Sequence, residues 1–523
     1  PRRLVSDSIW TWDARQLGGW VPHQNVGYIW PSGPFYALFD ALRVPDWIAH
    51  RLWIGTLLLL AGLGVRWLAR VLELPAGVGA SAAFVYQLSP YVLPYVSRTS
   101  ALLLPWSLLG WMIGVAVLAA RRRDPRLVGA FGLLVASTGG LNATALLMIA
   151  PAPVIWYVFF ARGTPWRRIA ATLGLLGTTS LLVSLWWLAG LRIQGAHGAA
   201  VLSYSEALPS TAATSTPLEV LRGLGYWLFY DRNHVVALTS AATPYMGSLI
   251  VIAAGAAILA LGLGGLVLAP DRLRRPLAAT LLVGFVLAVG PYPFRDPSLL
   301  WKPAADNPTS ALSLALRSST RAVPLVVLVI ALGAGIAAQH LMARRPRFDA
   351  MAPVAVAGLA LVNLPALVGG RMVDPALERP QRLPAAWYDA ARFLDERYDA
   401  GHTGSVLVVP GLESAAYRWG YTVDPILPGL TKKPLVTRDW LPLGSAPFVD
   451  LLYALDDAFQ NGDIEPSHVA PVARLLGADT VMVIGSHQFE RFRTVGPDRA
   501  ADLLGPEPAG LRRIADFGPP TVD

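Results

Sequence analysis

Ten stretches of the chain are apolar over long enough runs to suggest membrane crossings: residues 48–70, 76–96, 101–120, 127–139, 141–161, 169–191, 248–269, 277–290, 322–341 and 350–368. A spanning helix needs roughly 20 such residues, because a rise of about 1.5 Å per residue must cover about 30 Å of hydrocarbon. Two stretches are short, 127–139 and 277–290, and the first runs into STGGLNAT, whose glycine pair and Asn142 predict a broken or re-entrant hairpin. After about residue 378 the pattern changes. AAWYDAARFLDERYD has helical spacing, GSVLVVP and DTVMVIG read as buried strands, and PFVDLLYALDDAF and VAPVARLLG read as helices. The pattern predicts a polytopic α-helical membrane body over residues 1–370 and a soluble α/β domain over 371–523.

Composition agrees with a membrane protein. Of 523 residues, 54% are hydrophobic and only 15% charged, with a mean hydropathy of +0.47, outside the range of soluble domains. The formal charge is +9, which raises the question of a nucleic-acid partner. Its distribution answers against one. Segments 66–73, 121–126, 162–168, 271–275 and 344–349 hold 15 arginines against Glu73, Asp124, Asp271 and Asp349, so the excess lies in short loops between apolar runs. That is the positive-inside pattern, and it makes these loops cytoplasmic. Ten crossings that start outside then put the opening stretch, residues 192–247, residues 291–321 and the α/β domain on one external side. A first helix missing before Pro1 would start the chain in the cytoplasm and make eleven, and the α/β domain is expected to continue past GPPTVD.

The chain has no Cys, which removes disulfide frameworks and thiol chemistry. No metal-ligand spacing, phosphate-binding glycine loop or serine nucleophile elbow stands out. GLGVR and GAGIA read as small-residue packing positions within apolar helices. Arginine outnumbers lysine 40 to 3, the mark of a GC-rich genome such as an actinobacterium's.

The candidate chemistry lies in the external loops. SDSIWTWDARQLGGWVPHQNVGYIWPSGPFY places Asp7, Asp13, His23, Gln24, Asn25 and Tyr28 at the membrane edge. Moving a sugar from a prenyl-phosphate carrier needs a carboxylate to take the acceptor's proton at the depth of the lipid phosphate, and Asp7 or Asp13 meets that need. The plainer reading makes both solvated loop acids. His23, Gln24, Asn25 and Tyr28 combine amides and aromatics suited to a sugar, or else form an interfacial belt. Arg98, and Arg317 with Arg321 in ALRSSTRAVPL, place guanidiniums outside, against the overall bias. Four residues apart, the latter pair would share a helical face and hold a phosphate. The hydroxyl-rich loop LSYSEALPSTAATSTPLEVLRGLGYWLFYDRNH would border an acceptor groove, or else is a surface loop whose polar residues only face water; its Glu206 is a secondary base candidate.

Together with the opening stretch, AAYRWGYTVDPILPGL at 415–430 and LVTRD at 435–439 make the chain resemble the actinobacterial α-(1→3)-arabinofuranosyltransferases, and QNVGYIWPSGPFYAL is similar to that family's first-loop signature. The resemblance implies a glycosyltransferase C fold in the plasma membrane with periplasmic catalytic loops. It implies decaprenyl-phosphoryl-arabinofuranose as donor, an arabinan acceptor in arabinogalactan or lipoarabinomannan, inversion by single displacement, and no cofactor or metal. Carried over, Asp7 matches the acid after the first helix and Asp13 the acid of the Trp12-Asp13 pair. The first loop is shorter than the family pattern between Asp7 and Trp12, and the family is typically longer than this chain. Transfer of another sugar such as mannose, a lipid-glycan transporter and a non-catalytic scaffold are the alternatives; spans nearly free of ionisable groups disfavour transport. The cytoplasmic loop RRRDPR would also suit an acidic partner such as an acyl carrier protein, although topology alone explains it.

Overall fold

The computed structural model describes residues 10, 12–20, 27–96, 99–122, 124–138, 140, 143–201, 206–232, 237–343, 351–373, 380, 382–412, 414–438, 444–492, 494–504 and 509–518. The apolar stretches are mainly helical in their described residues. A short helix α1 (Ser32–Ala41) follows the first loop, then α2 (Asp46–Val71), α3 (Ala76–Gln87), α4 (Leu104–Arg122), α5 (Arg126–Ala136), α6 (Pro151–Phe160), α7 (Trp166–His197), α8 (Leu249–Leu268), α9 (Asp271–Val289), α10 (Val323–Ala343) and α11 (Met351–Val362). Six helical segments among the described residues are long and apolar enough to cross a membrane: Asp46–Val71, Ser100–Arg122, Ala143–Phe160, Trp166–His197, Leu249–Leu268 and Ser319–Met342.

Burial separates centre from rim. The Ser319–Met342 segment is 94% buried, whereas Trp166–His197 is 11% buried and turns its leucines outward. An all-apolar helix such as α10, with no polar stripe, is stable only when surrounded. Several indole and phenol groups inside the bundle find partners on other helices. Tyr86 donates to the Trp106 carbonyl at 2.8 Å, Trp111 to Leu60 at 3.0 Å, and Trp156 to Thr280 Oγ1 at 3.0 Å.

The stretch 76–96, read as one span, is interrupted. Ser89 is extended (φ −70°, ψ 147°) before Pro90, since a residue preceding proline avoids the helical region. A 3-10 turn Pro90–Val92 and a single turn Leu93–Val96 follow. This break brings Tyr95 against Tyr226, in the loop that follows α7.

The soluble domain holds α12 (Ala385–Asp399), β1 (Ser405–Val409), the hairpin β2 (Ala415–Tyr417) and β3 (Gly420–Val423), β4 (Leu435–Val436), α13 (Ala446–Asn461), α14 (Pro466–Leu475) and β5 (Ala478–Val483). Its sheet is parallel in the order β4-β1-β5. β1 is covered on both faces, which explains its unbroken apolar run. Leu407 and Val409 pack with Leu452, Phe459 and Val469, and Val406 and Val408 with Trp387 and Leu394. One strand-like contact comes from far outside the domain: Gln16 in the first loop forms a parallel bridge with Leu435, extending the sheet beyond β4. Leu17 then enters the core beside Leu407 and Val436.

Candidate functional site

Arg321 lies in the 3-10 turn Ser319–Ala322 that leads into α10, and only 4% of it is exposed. Its guanidinium carbon stands 5.4 Å from the Tyr95 ring centre and 5.5 Å from that of Tyr226. Those two rings stack at 5.2 Å, so the cation is held between the break after α3 and the loop that follows α7. Arginine stays charged whatever its surroundings. Yet its Nε and Nη1 have no hydrogen-bond partner among the described residues. Aromatic faces stabilise such a cation by about 0.5–2 kcal/mol each, well short of the cost of a buried charge with unsatisfied donors. Chemically, such a turn could take up an anion.

Arg317, 9% exposed, caps the C-terminal end of the short helix Ala311–Leu316. Ser318 breaks the chain with φ −84°, ψ 48°. The two arginines therefore do not share the face of one helix, as their spacing had suggested. They flank a kink, which turns both toward the same carboxylate. Burial pulls Arg317 below the usual arginine range while Glu206 opposes it, and Glu206 also acts on Arg321.

Glu206 is the acid of this cluster. Ser318 Oγ donates a short hydrogen bond to Oε1, Trp227 Nε1 donates to Oε2 at 3.0 Å, and Tyr226 OH donates to Oε2 at 3.4 Å. Burial, and then Glu206 itself, push the Tyr226 phenol far above its usual range, so it remains a donor. A crevice lined by Pro90, Tyr91, Pro94, Gly223, Tyr226 and Thr320 opens next to the arginine.

Of the other predicted residues, Asp13 and Tyr28 are among those described. Asp7, His23, Gln24, Asn25 and Arg98 lie outside the described residues. Asp13 exchanges backbone hydrogen bonds with Trp20 at 2.9 and 3.0 Å, and its carboxylate accepts from the Arg15 N–H at 2.9 Å and Nε at 3.2 Å. It closes the loop that docks on β4. Tyr28 supports the turn into α1, its carbonyl accepting from Ser32 Oγ at 2.7 Å and Gly33 N–H at 2.8 Å. Its phenol is pushed up to about 12 by burial and then by the nearby Asp424 carboxylate.

Sequence reasoning missed Tyr95 and Tyr226, whose only local signals were the prolines at 90 and 94 preceding one and the glycines at 223 and 225 preceding the other. It also missed a second network. Arg222 Nη1 donates to Glu219 at 2.6 Å and Nη2 to the Tyr245 carbonyl at 3.0 Å, and Tyr230 bonds Glu219. Tyr245 OH reaches the Asn363 carbonyl at 2.5 Å, which fixes this loop to the end of α11. Among the described residues no three His, Asp or Glu side chains converge on one point; the charge of the site is carried by two arginines and Glu206.

A family model for the N-terminal GT-C domain of alpha-(1->3)-arabinofuranosyltransferase matches residues 1–523. Curated alpha-(1->3)-arabinofuranosyltransferases from Mycolicibacterium smegmatis and Mycobacterium tuberculosis are 30% and 29% identical to it over 548 and 554 residues. Those alignments take in 99% of this chain but 37% and 38% of the relatives, so the chain spans little more than a third of their length. The cryo-EM structure of arabinofuranosyltransferase AftD from Mycobacteria superposes with a TM-score of 0.75 at 24% identity, covering 100% of this chain and 35% of that one. A mutant of that protein gives 0.76 at the same identity, with 37% of its chain covered. At this identity the likeness concerns the fold. The molecule is a membrane protein of glycosyltransferase C architecture carrying a small α/β domain.

Proposed function

The chain belongs to the family of the N-terminal GT-C domain of alpha-(1->3)-arabinofuranosyltransferases, and from that membership we propose that it transfers arabinofuranose from a decaprenyl-phosphate carrier to a cell-wall arabinan at the external face of the plasma membrane. The observation that carries this reading is Arg321, buried against the stacked rings of Tyr95 and Tyr226 with two N–H groups unpartnered and the Glu206 carboxylate beside it. A donor phosphate supplies the missing anion. It replaces Glu206 as counter-charge to Arg317 and Arg321, leaving the carboxylate to serve the acceptor.

The step is a single displacement. The acceptor hydroxyl oxygen bonds the anomeric carbon as the bond from that carbon to the phosphate oxygen breaks. The electron pair leaves with the prenyl phosphate, whose added charge the arginines stabilise. Glu206 takes the hydroxyl proton. Trp227 and Tyr226, already donating to that carboxylate, orient it and offer flat faces to the sugar. The anomeric configuration inverts.

This reading places the base at Glu206 ahead of Asp7, the acid suggested by resemblance, because Glu206 has its place among the phosphate-binding groups. The test is transfer from synthetic decaprenyl-phosphoryl-arabinofuranose to an oligoarabinoside. Glu206→Gln should lower kcat by about 10²–10⁴-fold with donor affinity retained, and Asp7→Asn should stay active. The opposite pair of results returns the base to Asp7. A wild type inactive with this donor but active with a prenyl-phosphate mannose would overturn the choice of sugar.

A further inference from the structure

Leu299 and Leu300 are the least expected residues on the external loops. The carbonyl of Ser298 accepts from the N–H of Trp301 at 2.9 Å, so the two leucines occupy the central positions of a tight turn. Such positions in water favour Pro, Asn, Asp or Gly. Here they hold two leucines, 90% and 66% exposed, while the adjacent Trp301 is 3% exposed.

The turn is rigidly mounted at the end of the bundle. Trp301 Nε1 donates at 3.1 Å to the carbonyl of Val286, in the last turn of α9, which also accepts from the N–H of Gly290 at 3.4 Å. The loop therefore folds back toward the bundle after leaving α9. Two residues reach at most about 7 Å, which keeps the leucines near the level where α9 ends and the neighbouring α8 begins. At that level α8 already exposes Leu249 (81%) and Ile250 (72%). Beneath the turn, Trp301 packs with Leu208, Ala304 and Leu316. Leu208 is two residues from Glu206, and Leu316 adjoins Arg317.

We propose that the Leu299–Leu300 turn is a prong inserted into the hydrocarbon of the bilayer, immediately beside the anion site. Hydrocarbon rewards exposing both side chains at the end of a membrane helix, level with the exposed Leu249 and Ile250 of α8. In consequence the prong seats the reaction site against the lipid phase in which a prenyl-linked donor is dissolved; this consequence rests on the transfer reading above.

Because the chain has no Cys, Leu299→Cys gives a unique attachment point within it for a spin label. In lipid nanodiscs the label should collide with oxygen in preference to an aqueous nickel chelate, as a label at Leu249→Cys does and one at the exposed Thr403→Cys on the soluble domain does not. Preference for nickel at position 299 would overturn insertion. In transfer assays, Leu299→Ser combined with Leu300→Ser should raise KM by about tenfold for the decaprenyl donor and leave it unchanged for a water-soluble short-prenyl donor. An equal change for both donors would overturn the lipid-phase role. Inactivity of the wild type with either donor would sink the transfer reading instead, and the label would still decide insertion.

Discussion

The N–H of Leu17 bonds the carbonyl of Leu435 at 3.1 Å, and the N–H of Leu435 returns a bond to Arg15 at 2.7 Å. The first loop is thereby an added edge of the soluble domain's sheet. The same segment of that domain also holds the chain leaving α7: Ala199 N–H donates to the Gly444 carbonyl at 2.8 Å, seven residues before Glu206. The domain thus clamps the first loop and the approach to Glu206 at once.

A disulfide tests whether this clamped form is the working one. A Cβ on Gly444 would stand 3.3 Å from Leu17 Cβ, close to the separation of about 3.5–4.5 Å that a disulfide requires. Leu17→Cys with Gly444→Cys should cross-link under mild oxidation, and transfer should stay within about twofold of the reduced protein, far less than the tenfold of 1.4 kcal/mol. Loss of activity restored by reductant would mean that the loop must undock to work.

Arg321 should behave as a functional and not a structural cation. Arg321→Met removes a cation whose Nε and Nη1 are unpartnered, while Glu206 keeps Arg317 and the donors Ser318, Trp227 and Tyr226, so no acid is left buried without a partner. Arg321→Met should keep or raise the thermal midpoint while donor affinity falls by about a hundredfold or more. Arg438 makes the contrast: it bonds Asp456 Oδ2 at 2.7 Å, and that carboxylate is 5% exposed. Arg438→Met leaves the acid buried without its cation and should cost about 3–5 kcal/mol. Equal melting of the two variants would refute the distinction.

What could be read from sequence follows the range of the interactions. Apolar runs, the arginine-rich loops and the α/β character of residues 385–483 are local patterns, and the glycines of GAGIA are indeed packing positions. Arg317 and Arg321 stood out because external charge is rare. Their kink did not, since Ser318 gives no strong breaking signal. Glu206 meets Ser318 across 112 residues, and Leu17 meets Leu435 across a still longer separation. Neither pairing has a local signature, and both are set by how the bundle and domain pack. The 76–96 stretch was misread as continuous although Ser89-Pro90 was visible, because hydropathy outweighed the backbone restriction that proline imposes.

His487 gives the soluble domain a pH response. It is 1% exposed, and Nε2 faces the Val495 carbonyl at 3.0 Å, so it donates there. Burial holds the imidazole below its usual 6.5, with Arg418 acting in the same direction and Glu490 against it. Below 6.5 the unfolded chain takes up a proton that the folded one refuses. Stability is therefore full above that value and falls as pH drops toward the folded pKa, by up to about 1.4 kcal/mol per pH unit. Resistance of the domain to limited proteolysis on heating should decline between about pH 7 and about pH 5, and His487→Gln should flatten that decline. An unchanged slope in the variant would assign the response to other groups.

The last prediction concerns the helix that carries Arg321 at its head. α8 and α10 touch backbone to backbone: a Cβ on Gly265 would fall 1.8 Å from the Gly333 carbonyl oxygen, and one on Gly333 would fall 2.1 Å from that of Gly262. No side chain can yield there, so any substituent must push the helices apart. Gly264, one residue away on α8, has nothing within 4 Å of its Cβ position. Alanine at 264 removes only glycine's backbone freedom and should stabilise by about 0.5–1 kcal/mol. Alanine at 265 should destabilise by about 1–3 kcal/mol. The displacement is carried along α10 to the Ser319–Ala322 turn, so Gly265→Ala should also weaken donor binding while Gly264→Ala leaves it intact. Thermal midpoints and donor KM for the two variants measure both effects. If Gly265→Ala melted like Gly264→Ala with the same KM, the close contact of α8 with α10 would not be what sets the position of Arg321.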